Sequence, residues 1–462
     1  MSKANSQQVI EKFECLRLAS DGSGVGYADG LATFVQGLLP DEVGTVKVLE
    51  KKKTWQRAEL LTLDKASPQR NVPPCSVYEA CGGCRLQHTT YEETLAWKAR
   101  WVEDALRRIG KIQVEGKVRP TLGMAEPWRY RNKARLHRSQ GQIGYYQSKT
   151  KEVVPFTDCL LLSERMNQWI AQTKEFLGEE YPELETVTFR ENPAGEGMLL
   201  LESTVGIPEF AGLSEEGEVP ALPDGEVSGQ FTDGTSGLFT GNHPQISDLE
   251  NIGVSSIWGL GSDSHLQALS GGPLEVNILG LDFRVSPLTF LQVNFAQMEV
   301  LYSLVLEFAE LTGEEIVWDL YSGIGTLTLA LARQAREVWG IEENSYAIQD
   351  ARENAQRNAI ANVRFSAGKV EDLCAEWQTA PDLVVLDPPR AGADKKVIEQ
   401  FLRLQPERII YVSCDPGTLA RDVGRLAEGG YVVERVQPVD MFAWTGHVEC
   451  VIMMTNSGSK GK

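Results

Sequence analysis

At 462 residues the chain is too long for one hydrophobic core, and 42% apolar with 24% charged residues is the composition of an ordinary globular protein of two or three domains. The net charge of −19 argues against a polyanionic partner until its distribution is seen: no Lys or Arg occurs from Glu191 through Phe283, whereas twelve stand against four Asp or Glu between Lys98 and Arg138. No apolar run reaches membrane-spanning length and the first residues lack signal-peptide character, so a cytoplasmic chain without membrane contact is expected; eight cysteines over this length are not a secreted disulfide framework.

Residues 1–66 read as a small β module. Short apolar runs such as Ala32-Thr-Phe-Val35 are divided by Gly22, Gly24, Gly26, Gly30 and Gly37, the punctuation of a small barrel, and Lys51-Lys-Lys53 near Trp55 sets charge beside an aromatic. Cys75, Cys81 and Cys84 then fall within ten residues, with Gly82 and Gly83 allowing the backbone to wrap closely; Cys159 would complete a four-thiolate site. The spacing admits either zinc or an iron-sulfur cluster.

Tyr91 to Ile109 predicts a helix with Leu95, Trp101, Val102 and Leu106 apolar. Trp128 to Arg138 alternates bases with other residues, and as a strand it would place Arg129, Arg131, Lys133 and Arg135 on one face, a candidate phosphate track. The stretch from Ser203 to Gly272, rich in Gly, Pro, Ser, Asp and Glu, is expected to be a loop-rich insertion without chemistry.

From about residue 276 strands and helices alternate. Glu315 to Asp319 is a strand, followed by the turn Tyr321-Ser-Gly-Ile-Gly325 and an apolar helix; a second strand ends at Glu342, placed to accept hydrogen bonds from a ribose diol. Gly-Ile-Gly lacks the third glycine of a pyrophosphate fingerprint, and Asp319 would repel a phosphate, so a cationic, ribose-bearing cofactor such as S-adenosylmethionine fits better. Leu383 to Leu386 leads into Asp387-Pro-Pro-Arg390, whose two prolines hold the chain rigid past the strand tip. Ile409 to Ser413 is a buried strand ending in Cys414-Asp-Pro416, so the thiol stands at a carboxyl strand end, where ligands bind in open α/β sheets. Glu449 interrupts an apolar strand, which favours a functional carboxylate. Cys15, Cys374 and Cys450 read as core thiols.

Taken together these residues resemble the RNA (uracil-C5)-methyltransferase family, within it the iron-sulfur branch acting on large-subunit ribosomal RNA. The motifs are Phe290-Leu-Gln292-Val-Asn294, Asp319 to Gly325, Asp387-Pro-Pro-Arg390, Ser413-Cys-Asp-Pro416 and His447-Val-Glu449, with Cys75, Cys81, Cys84 and Cys159 similar to its [4Fe-4S] pattern. The resemblance implies an α/β fold: a Rossmann-like S-adenosylmethionine-dependent methyltransferase domain at 276–456, an OB-like TRAM barrel binding RNA at 1–66, and a central α+β iron-sulfur domain at 67–275. It further implies that Gln292, Tyr321, Glu342 and Asp387 contact S-adenosyl-L-methionine, that Cys414 is the nucleophile and Glu449 the base, and that a monomer acts on RNA. Lys369 lies near another family contact but is not the amide or acid expected there. Competing expectations are a transfer RNA substrate, an RNA amino-methyltransferase built on Asp387-Pro-Pro, and a non-catalytic RNA-binding iron-sulfur protein.

Overall fold

A computed structural model describes residues 8–177, 183–204, 249 and 251–458. The first layer is β-rich: β1 (Val9–Glu14), β2 (Arg17–Leu18), β3 (Ser23–Ala28), β4 (Leu31–Gln36), β5 (Val43–Lys51) and β6 (Trp55–Lys65) form one sheet in the order β1-β5-β6-β4-β3-β2 around Phe13, Cys15, Val35, Leu38 and Val46.

Helix α1 (Tyr91–Arg108) starts where Thr90 accepts a hydrogen bond from the Glu93 amide, with Glu92 and Glu93 in its first turn and Arg107 and Arg108 in its last, each charge matched to the helix dipole. Its apolar residues are shared between two partners: Trp97 and Trp101 pack against Leu18 and Leu39 of the first sheet's module, and the Trp101 indole donates to the Leu18 carbonyl at 2.8 Å. Val102 and Leu106 pack into the core beneath the C-terminal sheet, and Val118 and Leu122 make isolated bridges to Val436 and Val439 of that sheet.

A second sheet comprises β7 (Lys133–Ser139), β8 (Gln142–Tyr146), β9 (Val153–Pro155), β10 (Leu184–Glu191), β11 (Gly197–Ser203), β12 (Ser256–Leu260) and β13 (Leu266–Ser270), in the order β13-β12-β11-β10-β7-β8-β9, with α2 (Glu164–Leu177) packed on it. Two expectations change here. Of the stretch expected to be loop-rich, 205–248 and 250 lie outside the described residues, but β12 and β13 follow it, with Ile257 and Leu269 in the core among Gly and Ser that hide the strands in the sequence. The cationic row is also broken. β7 begins only at Lys133, because Arg129 adopts a left-handed φ of 55° and pairs with Asp158, while Arg131 turns toward the cysteines.

The hairpin β14 (Leu274–Ile278) and β15 (Leu281–Val285) leads into α3 (Phe295–Ala309) and the third layer. There β16 (Ile316–Leu320), α4 (Thr326–Ala332), β17 (Glu337–Glu342), α5 (Ser345–Arg357), β18 (Val363–Ala367), α6 (Val370–Leu373), β19 (Leu383–Leu386), α7 (Lys395–Leu404), β20 (Arg408–Ser413), α8 (Pro416–Glu428), β21 (Tyr431–Val439) and β22 (Glu449–Asn456) build a sheet in the order β18-β17-β16-β19-β20-β22-β21. Strands β16 to β20 are parallel and buried on both faces. Val317, Val385 and Ile410 point into one core and Trp318, Val384 and Ile409 into the other, which is why these strands read as continuous apolar runs. The order in which strands are added reverses between β16 and β19, a topological switch point, and the carboxyl ends of the parallel strands β16, β17, β19 and β20 open onto one edge. Because β22 runs antiparallel to β20, its first residue arrives at that same edge.

Candidate active site

That edge forms a cleft of about 900 Å³ lined by all six side chains singled out in this half of the sequence: Gln292, Tyr321, Glu342, Asp387, Cys414 and Glu449. The Gly turn after β16 places Tyr321, Gly323 and Gly325 at φ values of 67°, 55° and 82°, a left-handed path that two glycines adopt without steric cost. Glu342 fastens this turn, accepting from the amide of Gly323 at 3.1 Å and from that of Asn344 at 2.8 Å. Beneath the turn Asp319 is buried and accepts from the Thr328 hydroxyl; burial pushes its carboxyl up to about 7. Gln292 donates to Asp387 at 3.4 Å, and its own carbonyl is held by the Asn132 amide group at 3.0 Å. Lys369 lines the same cleft.

Cys414 directly follows β20, and next to it Asp415 caps α8 by accepting from the amides of Gly417 and Thr418, each at 2.9 Å. Pro416 therefore does more than end a strand: it occupies the first turn of a helix, where its missing N–H costs nothing. The pairing of Ser413 with Cys450 across β20 and β22 brings Glu449 beside Cys414.

Electrostatically the floor of this cleft is tense. Burial, then the Glu449 and Asp387 carboxylates, push the Cys414 thiol up to about 11, while Arg390 pulls it down. Burial raises Asp387 to about 6. Glu449 is only 3% exposed, its Oε2 has no partner among the described residues, and burial followed by the charge of Asp387 drives its carboxyl well above the usual range, opposed by Arg390. Arg390 lies 2.8 Å from Nε2 of His447, whose ring burial depresses to about 4 and so keeps neutral. Sequence reasoning gave no role to Arg390, His447 or Phe442. The first two were visible inside quoted motifs, whereas nothing in the sequence pointed to Phe442, which reaches the cleft only through the loop that carries it.

That loop, 440–447, is held from distant parts of the chain. Lys98, fully buried, donates to Asp440 at 2.5 Å and to the Phe442 carbonyl at 2.9 Å, and Tyr91 donates to Asp440 at 2.7 Å. The Trp444 carbonyl accepts from the amides of Arg85 and Leu86 at 2.9 and 3.1 Å, and its ring stacks on Trp128 at 4.4 Å. Gly446 sits against the first sheet, where a Cβ would stand 1.5 Å from the Ser20 carbonyl oxygen.

Cys75, Cys81, Cys84 and Cys159 line a second, separate cavity with Arg131 and Tyr145. No disulfide joins them. Burial pushes the Cys84 thiol up to about 12 and also raises Cys81 and Cys159, with neighbouring thiols adding to each. The Nε of Arg131 is buried there without a partner among the described residues. Among the described residues no group of three or more His, Cys, Asp or Glu is arranged to hold one metal ion. Four unbridged thiols converging beside a buried guanidinium do fit a larger, anionic thiolate-ligated group. Cys15, Cys374 and Cys450 are buried, as core thiols should be.

Residues 272–457 match the family described as tRNA (Uracil-5-)-methyltransferase. A protein of Listeria monocytogenes named an uncharacterized RNA methyltransferase is 38% identical over 455 residues, covering 95% of each chain. One of the same description from Halalkalibacterium halodurans is 38% identical over 454 residues, again 95% of each. Among solved structures, the Pyrococcus abyssi tRNA (uracil-54, C5)-methyltransferase in complex with S-adenosyl-L-homocysteine is similar in fold, with a TM-score of 0.71 at 24% identity over 96% of this chain and 100% of that one.

Proposed function

The chain belongs to the RNA (uracil-5-)-methyltransferase family and is an RNA methyltransferase; from that premise we propose that it methylates C5 of a uridine in large-subunit ribosomal RNA through a covalent bond between Cys414 and uracil C6. The observation that carries this reading is the meeting of Cys414 and Glu449 on adjacent antiparallel strands, in the same cleft as Gln292 and Asp387. Uracil C5 is too weak a nucleophile to take a methyl group unaided. Attack of the Cys414 thiolate forms an S–C6 bond and moves the C5–C6 π pair onto C5 as an enolate. When bound, S-adenosylmethionine supplies the methyl group that C5 takes up. Glu449 then removes the C5 proton, the C–H pair re-forms the double bond, and the S–C6 bond breaks to release thiolate.

The side chains are suited to these parts. Glu342 and Tyr321, at the ends of β17 and β16, hold the cofactor's ribose and adenosyl portion, while Gln292 and Asp387 orient cofactor and base edge. Arg390 favours the charged forms of both Cys414 and Glu449. The uracil must leave its stack to enter, so the target is flipped or single-stranded.

The first sheet serves in this proposal as a TRAM-type RNA-binding barrel. The four cysteines hold a [4Fe-4S] cluster that organises the fold, and the enzyme acts as a cytoplasmic monomer. The supporting observation for the cluster is the convergence of four unbridged thiols with the Arg131 Nε. A second reading takes transfer RNA as substrate, favoured by the description of the matching family. Incubation with S-adenosylmethionine and 5-fluorouridine-substituted ribosomal or transfer RNA fragments, run on a denaturing gel beside Cys414→Ala, separates these. A cofactor-dependent covalent species that needs Cys414 supports the mechanism, and the RNA that yields it identifies the substrate. No adduct, on RNA that is methylated in unsubstituted form, would sink the C6 mechanism and favour amino methylation.

A further inference from the structure

Where the second sheet meets the methyltransferase layer, two cations stand side by side. Lys133 opens β7 and pairs in register with Arg190 on β10, so both side chains leave the same face. Lys133 is one residue from Asn132, whose backbone amide donates to the Val293 carbonyl at 2.9 Å and whose side chain holds Gln292. Lys133 and Arg190 line a small cavity with Leu291, whose neighbours Phe290 and Gln292 line the main cleft.

Arg190 is 5% exposed and donates only to the carbonyls of Pro287 and Thr289; its Nε has no partner among the described residues. Half-buried Lys133 makes no ion pair among the described residues. The carboxylates around them are engaged by other donors. Glu191, in the same cavity, accepts from Ser163; Glu202 is paired with Arg135 at 2.9 Å; Asp350 accepts from the Ser286 amide and hydroxyl at 2.8 and 2.7 Å. Burial, then the charges of Arg190 and Arg135, push the Lys133 ammonium down to about 7, opposed by the Glu202 carboxylate. An anion beside this pair would favour its charged form. On the same face of β7 the row continues outward through exposed Arg135 to His137, whose ring lies on Tyr146 at 3.8 Å and 7°.

We propose that Lys133, backed by Arg190, binds a backbone phosphate of the substrate RNA next to the uridine delivered to the cleft. This rests on the RNA-methylation reading above. In a chain of net charge −19 a polyanion must be held by local cations, and Lys133 stands in the basic stretch, beside residues that line the cleft. A phosphate contact carries no sequence information but fixes register.

The test is RNA affinity by fluorescence anisotropy over a salt series, using full-length protein, the ribosomal fragment that the wild type methylates, and a scrambled RNA of equal length. Lys133→Gln should weaken both RNAs by roughly tenfold at low salt and reduce the slope of log affinity against log salt by about 1. Lys133→Arg should keep slope and affinity, and S-adenosylmethionine affinity by calorimetry should be unchanged in both variants. An unchanged slope and affinity in Lys133→Gln overturns the assignment, as does a loss confined to one sequence, which would indicate a base contact. If Lys133→Gln also loses cofactor binding, Lys133→Arg decides: a normal slope supports the phosphate contact and a reduced one overturns it. A wild type that binds RNA but methylates none would refute the reading of the reaction while leaving the phosphate contact measurable.

Discussion

Replacing Glu449 by Gln removes one ionisable group from the cleft without changing its shape. The present carboxyl is buried, carries an unpartnered Oε2, and is driven toward its neutral form by burial and by Asp387. The amide therefore costs little in packing, and because Glu449 is among the groups that raise the Cys414 thiol, its removal lets the thiolate form at lower pH. Attack at C6 should be at least as fast as in the wild type. Loss of the C5 proton has no other positioned carboxylate except Asp387, which is held by Gln292. Turnover should fall by roughly 10²–10⁴-fold, the usual contribution of a positioned base. A single-turnover experiment with unsubstituted RNA, quenched at intervals into denaturant, should show a methylated protein-RNA species that accumulates and decays slowly. Adduct that decays at the wild-type rate, or never forms, would refute the division of labour between Cys414 and Glu449.

Four further outcomes are expected. Asp319→Asn should be more stable than the wild type at alkaline pH: the aspartate's pKa rises from 3.8 unfolded to about 7 folded, so wild-type stability is fully present below pH 4 and lost on rising through 7, on the order of 4 kcal/mol in all, measurable by denaturant titration at each pH. Lys98→Met leaves the buried Asp440 carboxylate without its ion pair, with the neutral Tyr91 hydroxyl as its remaining side-chain donor among the described residues, and should cost roughly 3–5 kcal/mol in chemical unfolding. Gly446→Ala must push the first sheet away from the loop; thermal unfolding should show a loss of roughly 1–3 kcal/mol, with kcat reduced more than cofactor affinity. Cys159→Ser should abolish bound iron and the visible absorbance of a cluster; full iron content in that variant would remove Cys159 from the ligand set.

What could be read in the sequence was whatever local pattern encodes. The place of Cys414 at a strand's carboxyl end was legible because an apolar run stopped by Pro416 reads as a buried parallel strand, and Glu449 stood out as a carboxylate inside an apolar strand; the helix cap at Asp415 was seen only in the structure. The conformation of Arg129, which breaks the cationic row, carried no such mark, since a left-handed arginine looks like any other in a strand-like alternation. The destination of α1 was equally hidden: its apolar residues announced partners without saying that those of Val102 and Leu106 lie some three hundred residues on. The same holds for Lys133, whose lack of an ion pair among the described residues depends on which donors hold Glu191, Glu202 and Asp350.

The order of strands has a consequence for how the protein is made. β22 is last in sequence yet lies between β20 and β21, so the sheet stays unfinished until residues 449–456 have been synthesised. Until then α1 has no complete surface to cover, and Lys98 waits for a carboxylate that lies 342 positions downstream. Such late, distant pairing is slow and leaves the edge of β20 open to other chains, a demand on chaperones. It also means that Cys414 meets Glu449 only after the residues of β22 have been made.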